Sequence, residues 1–423
     1  MVKLTENKHK TEQLPIETLP FCGCVTIPLS QHMGKICLPL VKPGETVLRG
    51  QKIAEVQAHV YAPIHASVSG KVVSVQEEPH PVLGRCKAIV MESDGLDKSL
   101  TPRPMTQEEI ENLNPEQIRA AIFEAGIVGM GGAGFPTHIK LNPPKSVDTL
   151  IVNAAECEPY LTCDYRLMLE KAEGIFRAIE LIRKCLAVQN VYIGIEDNKP
   201  DAIRKFKTLN SKFKVKVLKS EYPQGGERQL IKNILGREVP SSKLPFDVGV
   251  VVHNVGTCFA VYEAIYNNKP LYERVVTVTG SCLSAPKNLL VRLGTPIKEL
   301  IDFCGPLREE PAKIVMGGPM MGMAQYTLDV PVIKTTTGVV LFNEKEAKVF
   351  EEEFCIRCGA CVRACPAGLM PCLINLASEK EKWTQAQAYS ALDCIECGLC
   401  NYVCPANRRL TQSIKRAKLE VGK

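Results

Sequence analysis

The pattern of apolar and polar positions changes character along the chain, and each change predicts a different kind of domain. Between residues 25 and 93, short runs of alternating apolar and polar residues are separated by Gly and Pro turns. This pattern is typical of an all-β module. The strands predicted for it are Val25–Leu29, Ile36–Val41, Thr46–Val56, Val68–Val75 and Lys87–Glu92.

From about residue 114 to 279, apolar runs alternate with amphipathic segments, which predicts an α/β domain with a largely parallel sheet. Asn114-Pro115 predicts the start of a helix that ends near Glu124. The other predicted strands are Thr149–Asn153, Val191–Ile195, Val215–Leu218 and Val248–Val252. The other predicted helices are Tyr165–Leu186, Pro200–Thr208, Glu227–Leu235 and Cys258–Tyr266.

The last third of the chain predicts two further units. Residues from about Arg274 to Met323 indicate a compact module with Gly- and Pro-rich flanks and a short helix at Ile297–Phe303. From about residue 343 the pattern indicates short helices. The 423 residues suit two to four domains, and 45% apolar with 23% charged residues is typical of a soluble globular protein.

Hydropathy and charge give no indication of a segment that would insert into a membrane. No run approaches the roughly 18 apolar residues of a spanning helix. The polar residues 1–13 resemble neither a signal peptide nor an anchor. We therefore expect a soluble or peripheral protein in a reducing compartment. The net charge is +6, and a basic C-terminal stretch predicts a solvated helix face. Alternatively, this basic stretch contacts an acidic electron carrier or an anionic membrane surface.

Eight of the nineteen cysteines form two runs of identical spacing near the C-terminus. This is the spacing of two-cluster bacterial ferredoxins, in which the fourth cysteine of each run ligates the other cluster. It predicts two 4Fe–4S clusters and single-electron transfer. The predicted ligand sets are Cys355, Cys358, Cys361 and Cys404 for the first cluster, and Cys394, Cys397, Cys400 and Cys365 for the second.

Zinc and disulfides are the competing interpretations of these runs. Zinc sites generally use cysteine pairs with a longer interval, and disulfides are improbable without export. Gly359 and Gly398 allow the backbone to approach a cluster closely, and a proline after each fourth cysteine breaks the helix there. Most of the other eleven cysteines, which include the close pair Cys22 and Cys24, are expected to be small buried hydrophobes.

The run from Val41 to Glu55 resembles a biotinyl/lipoyl-type barrel-sandwich hybrid. Such carriers need a lysine on an exposed hairpin, but no lysine occurs between Lys52 and Lys71. A swinging-arm role is therefore not expected, and a structural or docking role is the better prediction.

Two turns in the α/β region are candidate ligand sites. Gly129–Gly134 satisfies G-x-G-x-x-G, but a predicted helix precedes it where a dinucleotide loop requires a strand. Its backbone N–H groups could still cradle a phosphate. The turn from Asn153 to Tyr160 follows a strand, where ligands bind in open α/β sheets. Each turn taken alone is better explained as an ordinary turn or helix cap, because turns and caps use these residue types routinely.

Taken together, the two turns resemble the FMN- and NADH-binding subunit of respiratory complex I. Gly225-Gly226-Glu227 and the segment from His253 to Thr257 match the remaining flavin turns of that family. The module after Arg274 resembles an SLBB domain. From about Pro28 onward, the order of domains resembles the RnfC family, the peripheral subunits of membrane-bound ferredoxin:NAD oxidoreductase (Rnf) complexes.

The resemblance implies a multidomain α/β fold in six parts. These are an N-terminal extension (1–24), a lipoyl-like barrel-sandwich hybrid without an acceptor lysine (25–100), a complex I flavoprotein-like domain that binds FMN and NADH (101–273), an SLBB-type domain (274–342), a ferredoxin-like α domain with two 4Fe–4S clusters (343–410) and a basic tail (411–423). The chain lacks the Gly-Gly-Ile/Val-His-Pro start and the Lys/Ala-rich repeats of some RnfC proteins, so its membrane docking is expected to differ.

The resemblance also implies the cofactor-binding residues. Flavin contacts are implied for most of them, with Phe135 beside the nicotinamide and Glu158 facing the NAD(H). The set is Gly129, Gly131, Gly132, Ala133, Phe135, Lys140, Asn153, Glu156, Glu158, Gly226, Glu227, Asn254 and Thr257. Three departures bear on nucleotide affinity and flavin potential, because Met130, Ala155 and Arg228 stand where the complex I subunit has arginine, aspartate and a second glutamate. His65, His80 and His253 lack metal-ligand spacing and are expected to be structural.

The function implied is hydride exchange with NAD(H) through FMN, followed by single-electron relay through two clusters, with no catalytic side chain. The implied location is the cytoplasmic face of the membrane, in an ion-translocating complex. The implied partners are membrane subunits and a ferredoxin-type iron–sulfur subunit, and no nucleic acid is expected to bind. One alternative is a soluble RnfC-like reductase that serves proline reductase or cobalamin reduction. Another is an electron-relay scaffold that has lost nucleotide binding, an alternative that the three departures leave open.

Overall fold

The computed structural model describes residues 2–20, 23–100, 103–209 and 212–422. Cys22 lies outside them, so its pairing with Cys24 is not described. Seven of the other ten described cysteines outside the two runs are buried, as expected, whereas Cys24 is exposed. The N-terminal residues run across the other domains and contribute strand β1 (Ile16–Thr18) to a distant sheet.

The barrel-sandwich module consists of two small sheets around one apolar core. Its strands are β2 (Cys24–Pro28), β3 (Leu38–Pro39), β4 (Thr46–Val47), β5 (Lys52–Glu55), β6 (Ile64–His65), β7 (Gly70–His80) and β8 (Gly84–Ser93). The sheets have the orders β2-β8-β7-β4 and β3-β5-β6. The single strand predicted over Thr46–Val56 is wrong, because the chain turns between β4 and β5, where Gly50 has a φ of +83°.

The α/β domain contains a four-stranded parallel sheet of order β11-β10-β9-β12, as the sequence predicts. Because the order reverses at β9, a crevice forms beyond the carboxyl ends of β9 and β12. The strands are β9 (Thr149–Ala154), β10 (Asn190–Glu196), β11 (Lys214–Leu218) and β12 (Val250–Asn254). The helices are α1 (Gln107–Asn112), α2 (Pro115–Glu124), α3 (Thr137–Lys140), α4 (Cys163–Glu170), α5 (Ala172–Leu186), α6 (Pro200–Leu209), α7 (Glu227–Leu235) and α8 (Val255–Tyr266).

Two helix predictions in this domain need correction. The single helix predicted over Tyr165–Leu186 is wrong, because Lys171 leaves the helical conformation (φ −124°, ψ 23°) and separates α4 from α5. Helix α8 begins at Val255 rather than at Cys258. Its earlier start follows from the Asn254 side chain, which accepts hydrogen bonds from the first amides of the helix.

The next domain is built on a mixed sheet of order β1-β14-β13-β17-β15-β16. Its own elements are β13 (Glu273–Gly280), β14 (Lys287–Arg292), α9 (Ile297–Phe303), β15 (Lys313–Met316), β16 (Met323–Ala324) and β17 (Gly338–Phe342). Strand β1 pairs in parallel with β14, so the N-terminal segment closes one edge of this sheet.

The C-terminal domain is made of short helices, as predicted. They are α10 (Ala360–Ala364), α11 (Pro371–Glu379), α12 (Trp383–Ala388), α13 (Leu399–Tyr402) and α14 (Leu410–Val421). The basic stretch at the end of the chain forms α14, whose apolar face is buried at Leu410, Ile414 and Ala417. Its Lys418 ammonium donates a hydrogen bond to the carbonyl of Cys394. This stretch is therefore packed against the cysteine runs.

Candidate functional site

A cavity of about 490 Å³ opens beyond the carboxyl ends of β9 and β12, within the usual size range of cofactor sites. All thirteen cofactor-binding residues predicted from the sequence line it. They come from four separate turns, one of which begins α7, and from the end of α3, which the fold brings to one edge of the sheet. Residues that the sequence did not single out also line it, among them Cys157, Asp164 and Tyr222.

The glycine loop is closed by a hydrogen bond from the amide of Gly129 to the carbonyl of Phe135, at 2.9 Å. A Cβ on Gly131 would lie 2.8 Å from the side-chain amide nitrogen of Asn254, so this position requires glycine. Gly132 faces open space, with nothing within 4 Å of a Cβ. The loop therefore packs tightly on β12 at one residue and leaves room for a ligand at the next.

The Asn153 side chain joins two turns of the cavity. Its amide nitrogen donates to the carbonyl of Gly225 at 2.8 Å, and its oxygen accepts from the Ala155 amide at 3.2 Å. Glu156, three residues further on, directs both carboxylate oxygens to the N-terminus of α4. They accept from the amides of Asp164 at 2.7 Å and Tyr165 at 3.2 Å. The first amides of a helix have no intrahelical partner, so this carboxylate is well placed to accept from them.

Asp164 completes an acidic pair at the bottom of the cavity. One of its oxygens accepts from the Asn254 side-chain amide at 2.6 Å. Burial raises the pKa of Asp164, and the nearby Glu156 carboxylate raises it further. Sequence reasoning missed this residue, although its position at the start of a helix and eight residues after Glu156 was available as a signal.

Glu158 faces the SLBB-type domain. Its carboxylate accepts from the amides of Met320 at 3.2 Å and Met321 at 2.9 Å. A Cβ on Gly318 would lie 2.2 Å from one of its oxygens, so glycine makes this close approach possible. Burial raises the pKa of Glu158 to about 7, although the two amide hydrogen bonds act in the opposite direction. The cavity wall thus contains a carboxyl group that titrates near neutrality.

Lys140 and Glu227 form an ion pair of 2.6 Å at the cavity, and both side chains are partly exposed. Two other lining residues, His253 and Thr137, have a buried nitrogen (Nε2) and a buried hydroxyl that find no hydrogen-bond partner within the described residues. Burial lowers the pKa of His253 to about 3, so its ring is neutral. Unpaired buried polar atoms, an accessible glycine backbone and a cation together fit a polar ligand with an anionic group.

The three departures from the complex I pattern do not obstruct the cavity. Met130 is buried in the core of the α/β domain. Ala155 is also buried, and its carbonyl accepts from Lys199 at 2.6 Å. Arg228 does line the cavity, but its guanidinium donates to the Lys243 carbonyl at 3.1 Å and lies 3.8 Å from Asp393. Arg228 therefore connects the α/β domain to the C-terminal domain.

The structure brings the second predicted ligand set together. Cys394, Cys397 and Cys400 line one small cavity with Cys365, the residue expected to cross over from the first run. In the first set, Cys361 and Cys404 pack in the apolar core of the domain, whereas Cys355 and Cys358 are exposed. The two runs have matching backbone geometry, with φ of +72° at Gly359 and +77° at Gly398.

The second cysteine run lies against the candidate flavin cavity. Ile395 and Cys397 line that cavity, and the hydroxyl of Tyr222 donates to the Cys397 carbonyl at 2.9 Å. Gln229, in the first turn of α7, donates to the carbonyl of Pro366 at 3.2 Å. Sequence reasoning missed Tyr222, which stands three residues before Gly225. The nucleotide cavity and the second ligand set are therefore neighbours.

An α/β flavin-type fold that shares a wall with a two-cluster cysteine domain defines an iron–sulfur flavoprotein. Family models match the chain in this order: the RnfC barrel sandwich hybrid domain at residues 2–96, the Nuo51 FMN-binding domain at 122–263, the SLBB domain at 275–324 and the 4Fe-4S dicluster domain at 347–416. The chain thus carries an FMN-binding domain and a domain for two 4Fe–4S clusters.

Two curated relatives match nearly the whole chain. The C component of the Clostridium ljungdahlii proton-translocating ferredoxin:NAD(+) oxidoreductase complex is 48% identical, over 98% of this chain and 92% of that protein. The C component of the Acetobacterium woodii Na(+)-translocating ferredoxin:NAD(+) oxidoreductase complex is 45% identical, over 98% and 94%. The chain belongs to this family, the RnfC proteins of ferredoxin:NAD oxidoreductase complexes.

Solved structures agree on the fold. Two states of an NAD+-reducing [NiFe]-hydrogenase, H2-reduced and air-oxidized, match with a TM-score of 0.51 each. They are 17% and 18% identical and cover 73% and 75% of this chain, and 63% and 69% of their own. Among the described residues, no helix is both long and apolar enough to cross a membrane.

Proposed function

We propose that this chain exchanges hydride with NAD(H) and relays single electrons as the RnfC-type subunit of an ion-translocating ferredoxin:NAD oxidoreductase complex. The observation that carries the proposal is the shared wall, because Cys397 of the second cysteine set lines the cavity that contains all thirteen nucleotide-site residues. FMN, when bound, supplies the conversion between hydride transfer and single-electron transfer, which the clusters then carry.

The side chains bind and orient the cofactor rather than take part in bond making. Lys140 and the amides of the glycine loop are suited to an anionic phosphate. Asn153 and Asn254 hold the turns in place through the hydrogen bonds described above. The neutral His253 ring and the Thr137 hydroxyl offer hydrogen-bonding atoms that are otherwise unpaired among the described residues. We assign all thirteen predicted residues to the FMN and NAD(H) site on this basis.

The positions of the two cysteine sets support an inner and an outer cluster. The second set lies at the cavity wall, whereas Cys355 and Cys358 of the first set are exposed. Beside these exposed cysteines, Phe354 is 94% exposed and Ile356 is 67% exposed. Exposed apolar side chains around a redox centre are typical of a docking surface. We propose that a ferredoxin-type subunit docks here, and that membrane subunits hold the chain at the cytoplasmic face.

The relay-scaffold alternative is less well supported. It rested on Met130, Ala155 and Arg228, of which two are buried outside the cavity lining and the third is tied to the C-terminal domain. None of the three closes the cavity, which has a volume of about 490 Å³.

Anaerobic purification and reconstitution test the proposal directly. The protein should bind FMN and about eight iron atoms per chain, and NADH should bleach the flavin absorption before the cluster absorption. A protein that contains iron but binds no flavin would refute the nucleotide part of the proposal. Purification from the native host separates the Rnf assignment from a soluble reductase. Membrane subunits should co-purify with an Rnf subunit and should be missing from a soluble reductase.

A further inference from the structure

Residues 2–18, here called the N-terminal strap, lie along the back of the candidate flavin cavity. Val2 forms two backbone hydrogen bonds with Tyr222, of 3.0 and 2.8 Å. The carbonyl of Glu6 accepts from the amide of Tyr160 at 2.7 Å. The Thr162 hydroxyl donates to that of Thr11 at 2.8 Å. The strap thus contacts the segment from Asn153 to Thr162 and a residue that lines the cavity.

The turn beneath the strap requires outside support. Glu156 and Tyr160 have φ values of +49° and +69°. A residue with a side chain adopts this left-handed region at an energetic cost and holds it only where surrounding contacts favour it. Neither residue is a glycine, so hydrogen bonds to the turn must maintain its shape.

Lys8 of the strap supplies the central contacts. Its ammonium donates to the carbonyl of Glu156 at 2.7 Å and to that of Leu161 at 2.6 Å, and so bridges the two ends of the turn. The side chain is only 5% exposed and lies 4.0 Å from the nearer Glu156 carboxylate oxygen. Burial lowers the pKa of Lys8, with the opposite influence of Glu156 second in size. A buried lysine is costly unless hydrogen bonds satisfy it, and here the turn does so.

Lys199 shows that the position of Lys8 is unusual. Lys199 is also buried and donates to the neighbouring carbonyl of Ala155 at 2.6 Å. It has a dedicated counter-ion, however, in Glu196 at 2.8 Å. The shortest bonds of Lys8 are instead with backbone carbonyls, and its nearest carboxylate oxygen, on Glu156, is 4.0 Å away.

We propose that Lys8 is a positioning residue for the flavin site, which fixes the turn from Glu156 to Leu161 and holds a positive charge behind it. The inference rests on the proposed function, since it concerns the same cavity. Reduction adds negative charge to the bound flavin, so a nearby cation favours the reduced form. The strap is therefore part of the redox site, although it precedes the α/β domain by about a hundred residues.

The test compares Lys8→Met with Lys3→Met. Both remove one positive charge from the strap, but Lys3 is exposed and holds no part of the turn. We expect Lys8→Met to weaken FMN binding by about tenfold or more, because the carbonyls of Glu156 and Leu161 lose their donor. The midpoint potential of its bound flavin should shift to a more negative value, whereas Lys3→Met should match wild type in both. Iron content should be equal in all three proteins.

Hydrogen exchange on the wild type provides a test that does not depend on a variant folding. Since coupling between sites is reciprocal, FMN should slow exchange in the peptide that covers residues 3–14 and at the amide of Tyr160. Equal FMN affinity and potential in Lys8→Met and Lys3→Met would overturn the inference, as would FMN-independent exchange in the strap. A wild-type protein that binds no FMN would instead refute the proposed function.

Discussion

The hydrogen bond between Tyr222 and Cys397 allows a sharp test of how the two redox sites are held together. Tyr222→Phe keeps the ring and removes only the hydroxyl that donates to the Cys397 carbonyl at 2.9 Å. Tyr222 is 2% exposed, and its hydroxyl also lies against the Glu158 carboxyl, so the change removes a buried donor that bulk water replaces poorly. A buried carbonyl left without its partner costs about 1–3 kcal/mol.

Tyr326→Phe is the matched control. The Tyr326 hydroxyl also donates to a backbone carbonyl, that of Gly84, at 2.8 Å, but the residue is 66% exposed. Water can take the place of this hydroxyl, so the free energy of unfolding should change by less than about 0.5 kcal/mol. Both variants remove a tyrosine hydroxyl that donates to a backbone carbonyl, but only the Tyr222 hydroxyl is buried and also faces a carboxyl group, that of Glu158.

Urea unfolding of the reconstituted protein, followed through the cluster absorption, measures the stability. Tyr222→Phe should lower the free energy of unfolding by about 1–3 kcal/mol, which corresponds to roughly a 5- to 150-fold change in the equilibrium constant. Stopped-flow mixing with NADH measures the coupling, and cluster reduction should lag behind flavin reduction more than in wild type. If both variants behaved as wild type in both assays, the assignment of Tyr222 as the link between cavity and cluster would be refuted.

Three further substitutions test separate parts of the site. Cys365→Ala should remove the cluster held by the opposite run and lower the iron content by about half; loss of the cluster of its own run, seen by electron paramagnetic resonance, would contradict the crossed ligand sets. Lys140→Met should weaken FMN binding at least about tenfold yet change unfolding by less than about 1 kcal/mol, because its ion pair is partly exposed; Lys145→Met, at an exposed pair away from the cavity, is the control. Glu158, with its pKa raised to about 7, binds more protons in the folded state than in the unfolded state between pH 4.5 and 7. Stability should therefore fall as pH rises through this window, and Glu158→Gln should flatten that part of the pH profile measured without cofactor.

The sequence could predict the parts of the molecule that depend on local spacing. The cysteine runs, the glycine loop and the residues after β9 and β12 each have a pattern within about ten positions, and the fold brings the nucleotide residues to one cavity. Asn114 likewise caps its helix as expected, with its side chain accepting from the amide of Gln117 at 2.9 Å.

Long-range contacts could not be predicted in this way. Lys8 stands in a polar segment like many exposed lysines, and only the folded chain places it beneath Glu156. The break at Lys171 is also invisible in the pattern, since apolar residues continue through it at helical spacing. Tyr222 contacts Cys397 across 175 positions of sequence, so no local signal marks it.

The first turn of α7 limits where the chain can tolerate an inserted residue. Glu227 lies at the nucleotide cavity, and Gln229, two positions later, is bonded to the residue after Cys365. One extra residue between them would rotate everything beyond it by about 100° and advance it by about 1.5 Å. The helix could then keep either its cavity contact or its bond to the cysteine domain, but not both. In this turn the number of residues is therefore as tightly specified as their identity.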